Sequence, residues 1–215
     1  VGNATFALAG LGYWGKNILR NLYELGMLHS ACDSDLNAIA EQKKKFPEVN
    51  YVTSFDEVLG NPEIKAVAIA TPAATHYTLV KKALLAGKDV FIEKPLALTV
   101  KEGEEIVELA EKEGRVLMVG HILQYHPAVI KLKELISSGD LGKIQYIYSN
   151  RLNIGKLRTE ENILWSFAPH DISVILMLVE DELVNVSAFG EDYLSKGIYD
   201  TTLTTLEFKN GVKGH

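Results

Sequence analysis

The chain has 215 residues, 47% of them hydrophobic and 23% charged, which is enough apolar material for a packed core and unlike the composition of a disordered segment. A formal net charge of -6 argues against a broad nucleic-acid surface, although it permits a local cradle for one phosphate group. The single cysteine, Cys32, excludes an internal disulfide and suits a cytoplasmic protein, and every apolar run falls short of the ~18 residues of a membrane span.

The first predicted strand is TFALAG, and the loop that follows it reads AGLGYWGKN, Ala9 to Asn17. Two phosphate-binding readings compete there. G-x-x-x-x-G-K would hold a nucleoside triphosphate, but such a loop needs Ser or Thr after the lysine to bind magnesium, and the residue here is Asn17. G-x-G-x-x-G, with Gly10, Gly12 and Gly15, needs a strand before it, a helix after it and an acidic residue ~20 positions on for the adenosine ribose. TFALA precedes, GKNILRNLYEL follows, and Asp33 ends the second strand, LHSACD. The loop is therefore read as a dinucleotide site, with the pyrophosphate on backbone N–H groups near Gly12, Tyr13 and Trp14 at a helix N-terminus. Asp33 also selects between cofactors. Neither Ser34 nor Asp35 offers a cation to a 2′-phosphate, and a like charge ~4 Å away costs ~1 to 4 kcal/mol, so NAD is favoured over NADP.

AVAIA, DVFIE and RVLMVG continue the strands, and between them apolar residues recur at helical spacing, as Ile18, Leu22 and Leu25 do after the first strand. Gly26, Gly87 and Gly114 stand where helices should end. This alternation predicts an α/β domain over residues 1–120, a doubly wound parallel sheet whose ligand crevice lies beyond the carboxyl ends of its strands. ATPAATH and EKP follow two of those strands. Thr71, Pro72 and His76 are candidates for the nicotinamide side; the competing reading makes Pro72 a turn residue and His76 a solvated histidine in a first helical turn. Glu93 and Lys94 sit at a strand's carboxyl end, where a lysine would point toward the place of hydride transfer.

From residue 121 the pattern becomes that of an α+β domain reaching to 215. His121 and His126 are five apart with no carboxylate near them in sequence, so no metal site is expected; His121 is a candidate for contact with substrate or cofactor, or for packing. KIQYIYSNRLNI alternates as an antiparallel type of strand, a helix is expected from about Asp171 to Val179, and LVNVSAFG and TLTTLEF add strands to an open, mainly antiparallel sheet. Arg151 and Asn153 share one polar face, and Lys156 and Arg158 follow, so cations are available for a diphosphate unless this is an ordinary solvated face. The Asn210-Gly211 turn predicts a hairpin whose first arm is left mostly unpaired. Together with the missing initiator methionine, that suggests a piece of a longer protein with a truncated second domain.

GLGYWG, CDSD, ATPAATH, EKPLALT, VGHILQYHP and APHDIS, in that order, resemble the glucose-fructose oxidoreductase, inositol dehydrogenase and MocA family along the whole chain. The resemblance implies a Rossmann domain followed by an open-sheet domain that binds substrate and often mediates homo-oligomerisation. It also implies an NAD-dependent sugar dehydrogenase in which Lys94 and His170 are catalytic, with the choice of base between them open. One position departs from the pattern: many relatives carry Asp four residues before the histidine, and here that residue is Ser166. The segment from Asn150 to Ser173 is similar to the nucleotide-sugar 3-dehydrogenases of the UDP-N-acetylglucosamine type, which would make Arg151, Asn153 and Arg158 candidate substrate contacts. The alternatives are a free sugar or polyol dehydrogenase, a non-catalytic NAD-binding regulator, and, more distantly, a phosphate-loop hydrolase.

Overall fold

The computed structural model describes residues 4–152 and 162–215, and the chain divides into two compact units, Val1–Gly120 and His121–His215. In the first unit the elements run β1 (Phe6–Ala9), α1 (Gly15–Glu24), β2 (Leu28–Cys32), α2 (Leu36–Lys43), β3 (Asn50–Val52), α3 (Phe55–Gly60), β4 (Ala66–Ile69), α4 (His76–Leu85), β5 (Asp89–Ile92), α5 (Val100–Lys112) and β6 (Leu117–Val119). All six strands are parallel, in the order β3-β2-β1-β4-β5-β6. The order reverses between β1 and β4, and that point opens the ligand crevice of a doubly wound sheet.

Alternation along the strands builds two apolar layers. Ala7, Ala9, Val67, Ile69, Val90 and Ile92 face Val80 and Leu84 of α4 and Ile106 of α5, while Leu8, Ala31 and Ala68 face Leu19 of α1. Leu8, Leu19, Ile69, Ile92 and Ile106 are all buried, each contributing about 1.5–3 kcal/mol relative to an exposed side chain. Gly26, Gly87 and Gly114 take left-handed backbone just after helices, where an L side chain would be strained.

The second unit contains α6 (Pro127–Ser137), β7 (Tyr146–Ile147), α7 (Ile163–Val179), β8 (Leu183–Glu191), β9 (Thr201–Phe208) and β10 (Lys213–Gly214). Its sheet, ordered β7-β10-β9-β8, is mixed: β8–β9 and β9–β10 are antiparallel, β10–β7 parallel. Leu206, Phe208 and Val212 pack on Ile175 of α7. Gly214 lets β10 approach this helix, since a Cβ there would lie 3.0 Å from Ile175 Cγ2.

Three expectations are corrected here. The strand read through KIQYIYSNRLNI is assigned only at Tyr146–Ile147 among the described residues, and it runs parallel to β10 because it enters the sheet beside the second arm of the hairpin. The first arm of that hairpin, β9, is not left open, because β8 pairs along it from Glu191↔Thr201 to Leu183↔Phe208. The helix expected from Asp171 starts at Ile163, where the Asn162 side chain caps it by accepting from Trp165 N at 3.0 Å, and Pro169 lies within it. No described helix is long and apolar enough to cross a membrane.

Candidate functional site

The turn after β1 is held open by its glycines. Gly10 has φ +98°, and a Cβ there would stand 2.6 Å from Ala70 O; one at Gly15 would collide with Gly10 O. A Cβ at Gly12 would meet nothing within 4 Å, so this is the glycine facing open space beside the loop. Capping adds to the picture. Asp35, Ser54 and Thr99 each place a side-chain oxygen on a first-turn N–H of α2, α3 and α5, whereas α1 has no side-chain cap and no acidic residue in its first turn. Its unneutralised positive end can take an anion, and the backbone at Gly12 can approach one closely. These residues fit the pyrophosphate of a dinucleotide.

Asp33 directly follows β2 and reaches the glycine loop. Its Oδ2 accepts from Leu11 N at 2.6 Å and its Oδ1 from Asp35 N at 2.9 Å, so the carboxylate ties the glycine loop to the end of β2. Each oxygen keeps a lone pair for a ribose hydroxyl.

On the other side of the crevice, Trp14 Nε1 donates to Glu93 Oε1 at 2.6 Å, joining the glycine loop to the segment after β5. Burial pushes the Glu93 carboxyl above the usual carboxylate range, outweighing the opposing effects of Trp14 and Lys94. Gly120 leaves room for it, since a Cβ there would be 3.0 Å from Glu93 Oε1. Lys94, the next residue, is half-buried. Thr75 Oγ1 donates to Pro72 O at 2.8 Å, so in its 2.7 Å contact with Thr71 Oγ1 the proton comes from Thr71. Thr71 therefore offers a ligand acceptor lone pairs only.

His76 needs correction. It is 1% exposed, with Nδ1 2.6 Å from Pro95 O and Nε2 2.9 Å from Thr71 O. Both ring nitrogens face protein carbonyls, so it is neither solvated nor placed to bind cofactor through the ring. Pro72 is exposed and precedes a 3₁₀ turn at Ala73–Thr75, as the turn reading expects.

In the second unit, Ser166 and His170 lie one turn apart on α7, Ser166 buried and His170 half-buried. His170 O accepts from Ser173 Oγ at 2.8 Å. A different face of α7, bearing Phe167, Asp171 and Ile175, lines a cavity of about 560 Å³ together with Ser149, Arg151, Tyr193, Tyr199, Thr202 and Thr204. Asp171 organises its polar side by accepting from Ser149 Oγ at 2.8 Å and from Arg151 Nε at 2.5 Å. His121 is half-buried and opens a 3₁₀ turn at Ile122–Tyr125. Asn153, Lys156 and Arg158 fall outside the described residues. No group of three or more His, Cys, Asp or Glu that could hold a metal occurs among the described residues.

The sequence profile described as an oxidoreductase family with an NAD-binding Rossmann fold matches residues 4–121, and the GFO/IDH/MocA C-terminal domain profile matches 129–215. The chain belongs to the GFO/IDH/MocA oxidoreductase family. This family member is 30% identical over 232 residues to the scyllo-inositol 2-dehydrogenase (NAD(+)) of Bacillus subtilis, covering 98% of this chain and 65% of that protein. It is 28% identical over 187 residues to the UDP-N-acetylglucosamine 3-dehydrogenase of Acidithiobacillus ferrooxidans, covering 84% of this chain and 56% of the relative. A solved structure of the latter enzyme superposes with a TM-score of 0.88 at 25% identity, covering 100% of this chain and 66% of that one. The GFO/IDH/MocA chain thus spans less than two thirds of the length of these relatives. Its first unit corresponds to the family's NAD-binding Rossmann domain.

Sequence reasoning missed Asp171 as the organiser of Ser149 and Arg151. The signal was available: Asp171, Phe167 and Ile175 share a face at helical spacing, one carboxylate among apolar residues.

Proposed function

We propose that this chain carries the cofactor site and part of the substrate site of an NAD-dependent dehydrogenase that oxidises a ring hydroxyl of a sugar. The observation that carries the reading is the bond from Trp14 to Glu93, which sets Lys94 one residue from a side chain held by the cofactor loop. Oxidising a carbinol removes a hydride from carbon and a proton from oxygen. NAD, when bound, accepts the hydride. The Lys94 ammonium orients the hydroxyl and stabilises negative charge as it develops on oxygen. His170 takes the proton, a task suited to an imidazole near neutral pH. The cofactor contacts fall to Gly10, Gly12, Tyr13, Trp14, Gly15, Asp33, Thr71, Pro72 and Glu93.

The finer reading is a nucleotide sugar, with the Arg151 Nη groups, and Asn153 and Arg158 beyond the described residues, near its diphosphate. One observation favours a second reading. Asp171 already neutralises Arg151, and the cavity beside the pair is rich in hydroxyl groups from Tyr193, Tyr199, Thr202 and Thr204, a lining suited to a neutral sugar or polyol. The cellular setting in this proposal is the cytoplasm, and the exposed Phe189, Leu203 and Tyr146 of the sheet are offered as a homo-oligomer contact.

The test supplies full-length protein and NAD with UDP-N-acetylglucosamine, N-acetylglucosamine or myo-inositol at equal concentration and follows absorbance of the reduced cofactor. Fastest turnover of the UDP-sugar supports the nucleotide-sugar reading, and Arg151→Ala should then raise its KM by ~10-fold, the scale of one charge-assisted contact. Faster turnover of a free sugar or polyol selects the second reading. No turnover with any sugar, alongside tight NAD binding, would point to a regulatory role.

A further inference from the structure

His76 begins α4 and is buried to 1% exposure, yet it reaches two loops at once. Pro95 O lies 2.6 Å from Nδ1 and Thr71 O lies 2.9 Å from Nε2. A carbonyl oxygen has no proton to give, so each contact is attractive only where the ring nitrogen carries hydrogen. A neutral imidazole carries one hydrogen on its two nitrogens, whereas both contacts are within hydrogen-bond distance. A bare nitrogen at 2.6 or 2.9 Å from a carbonyl oxygen would set lone pair against lone pair. The ring satisfies both carbonyls only as a donor through both nitrogens, which is the imidazolium form.

The two carbonyls belong to the loops that close the cofactor crevice. Thr71 follows β4, and Pro95 directly follows Lys94 after β5. The first loop is locked within itself by the Thr71–Thr75 and Thr75–Pro72 bonds. His76 extends that local lock across to the neighbouring loop. We propose that His76 is a positioning residue for the reaction: its doubly protonated ring ties the carbonyls of Thr71 and Pro95 together and so fixes the backbone on which Lys94 stands. This rests on the reading of Lys94 as a group of the reacting centre. It gives a buried histidine a donor role that neither cofactor contact nor solvation supplies.

The experiment uses the full-length protein labelled with ¹⁵N-histidine. Ring-nitrogen NMR signals of His76, assigned by their loss in His76→Phe, should show both nitrogens protonated with and without NAD. A pyridine-type nitrogen at His76 overturns the proposal whether or not the protein has activity. His76→Phe keeps an aromatic ring without donors, and His76→Gln keeps one amide donor. In the Phe variant kcat should fall by ~10-fold or more with the NAD dissociation constant within ~3-fold of wild type, and the Gln variant should fall between. The backbone amide signals of Thr71 and Leu96 should move together in the Phe variant. Unchanged kcat, or unchanged amide signals in both loops, overturns the proposal. If the Phe variant does not fold, the Gln variant decides by the same kcat criterion. Should wild type turn over no sugar, the proposed function fails, while the ring-nitrogen and amide signals still decide the role of His76 as the tie between loops.

Discussion

Replacing Asp33 with Asn should shift cofactor preference toward NADP by a predictable amount. The carboxylate is half-buried and each of its oxygens accepts one backbone N–H, so its charge is partly screened but fixed in place. Against a 2′-phosphate ~4 Å away, one unit charge costs about 1 kcal/mol at the dielectric of water and about 4 kcal/mol at an effective value near 20. Taking the lower part of that range for a partly exposed group, removing the charge should tighten NADP by ~5- to 100-fold. NAD should weaken by ~5-fold, because a ribose hydroxyl loses a charged acceptor and keeps a neutral one. The substitution has a second effect. An amide has one acceptor oxygen, so it cannot serve Leu11 N and Asp35 N together, and the loop loses a tie. That loss should weaken both cofactors alike, which is why the ratio of the two affinities isolates the charge. Titration calorimetry of the full-length protein with NAD and with NADP measures the ratio directly. The shift should also shrink at high salt, where exposed charges are screened. A ratio that stays at the wild-type value, or moves toward NAD, would refute the electrostatic account of Asp33.

Lys94→Met and His170→Asn should each lower turnover by at least ~100-fold while leaving NAD affinity nearly unchanged, and near-normal kcat in either variant removes that residue from the mechanism. Glu93→Gln should flatten part of the pH dependence of stability: burial raises the folded-state carboxyl, so its stabilising contribution is present in acid and is lost as pH rises through the raised value. Denaturant midpoints of wild type relative to the Gln variant should accordingly fall from acidic to neutral pH; a constant or rising difference contradicts the assignment. Cys32 is buried, and burial with the neighbouring Asp33 charge pushes its thiol up to about 11, so iodoacetamide should label it only when denaturant is present. Labelling of the folded protein at neutral pH would show the strand end opening. Ser166→Asp introduces a carboxylate at a position 2% exposed and one turn from His170; it should lower the melting temperature and move the acidic limb of the pH–rate profile, where the base must lose its proton, to higher pH.

Much of the first unit was legible because its signals are local. The glycine loop, the strand before it and Asp33 are fixed by spacing, and the structure adds that Asp33 holds Leu11 N. The expected strands of this unit recur as β1, β2, β4, β5 and β6. β3 went unread because Asn50–Val52 is too short to show a period, and α3 because six residues make less than two helical turns. α6 also went unread; its apolar residues belong to a helix with no fully buried position. In the second unit Pro169 hid the true start of α7, since a proline inside a pattern normally marks a helix end. The contact of His76 with Pro95 and the bond between Trp14 and Glu93 join residues far apart in the chain, which no local pattern encodes.

The chain contains two tryptophans, Trp14 and Trp165, and the division of the fold gives each unit one. Trp14 is more than a third exposed, with its indole N–H on a carboxylate beside the cofactor loop; Trp165 lies in the first turn of α7 and is exposed to the same extent. Single Trp→Phe replacements would therefore leave one intrinsic fluorophore in each half of the molecule. Emission from Trp14 alone would follow melting of the nucleotide half, and emission from Trp165 alone would follow the sheet half, so the order in which the two halves come apart can be read without any attached dye.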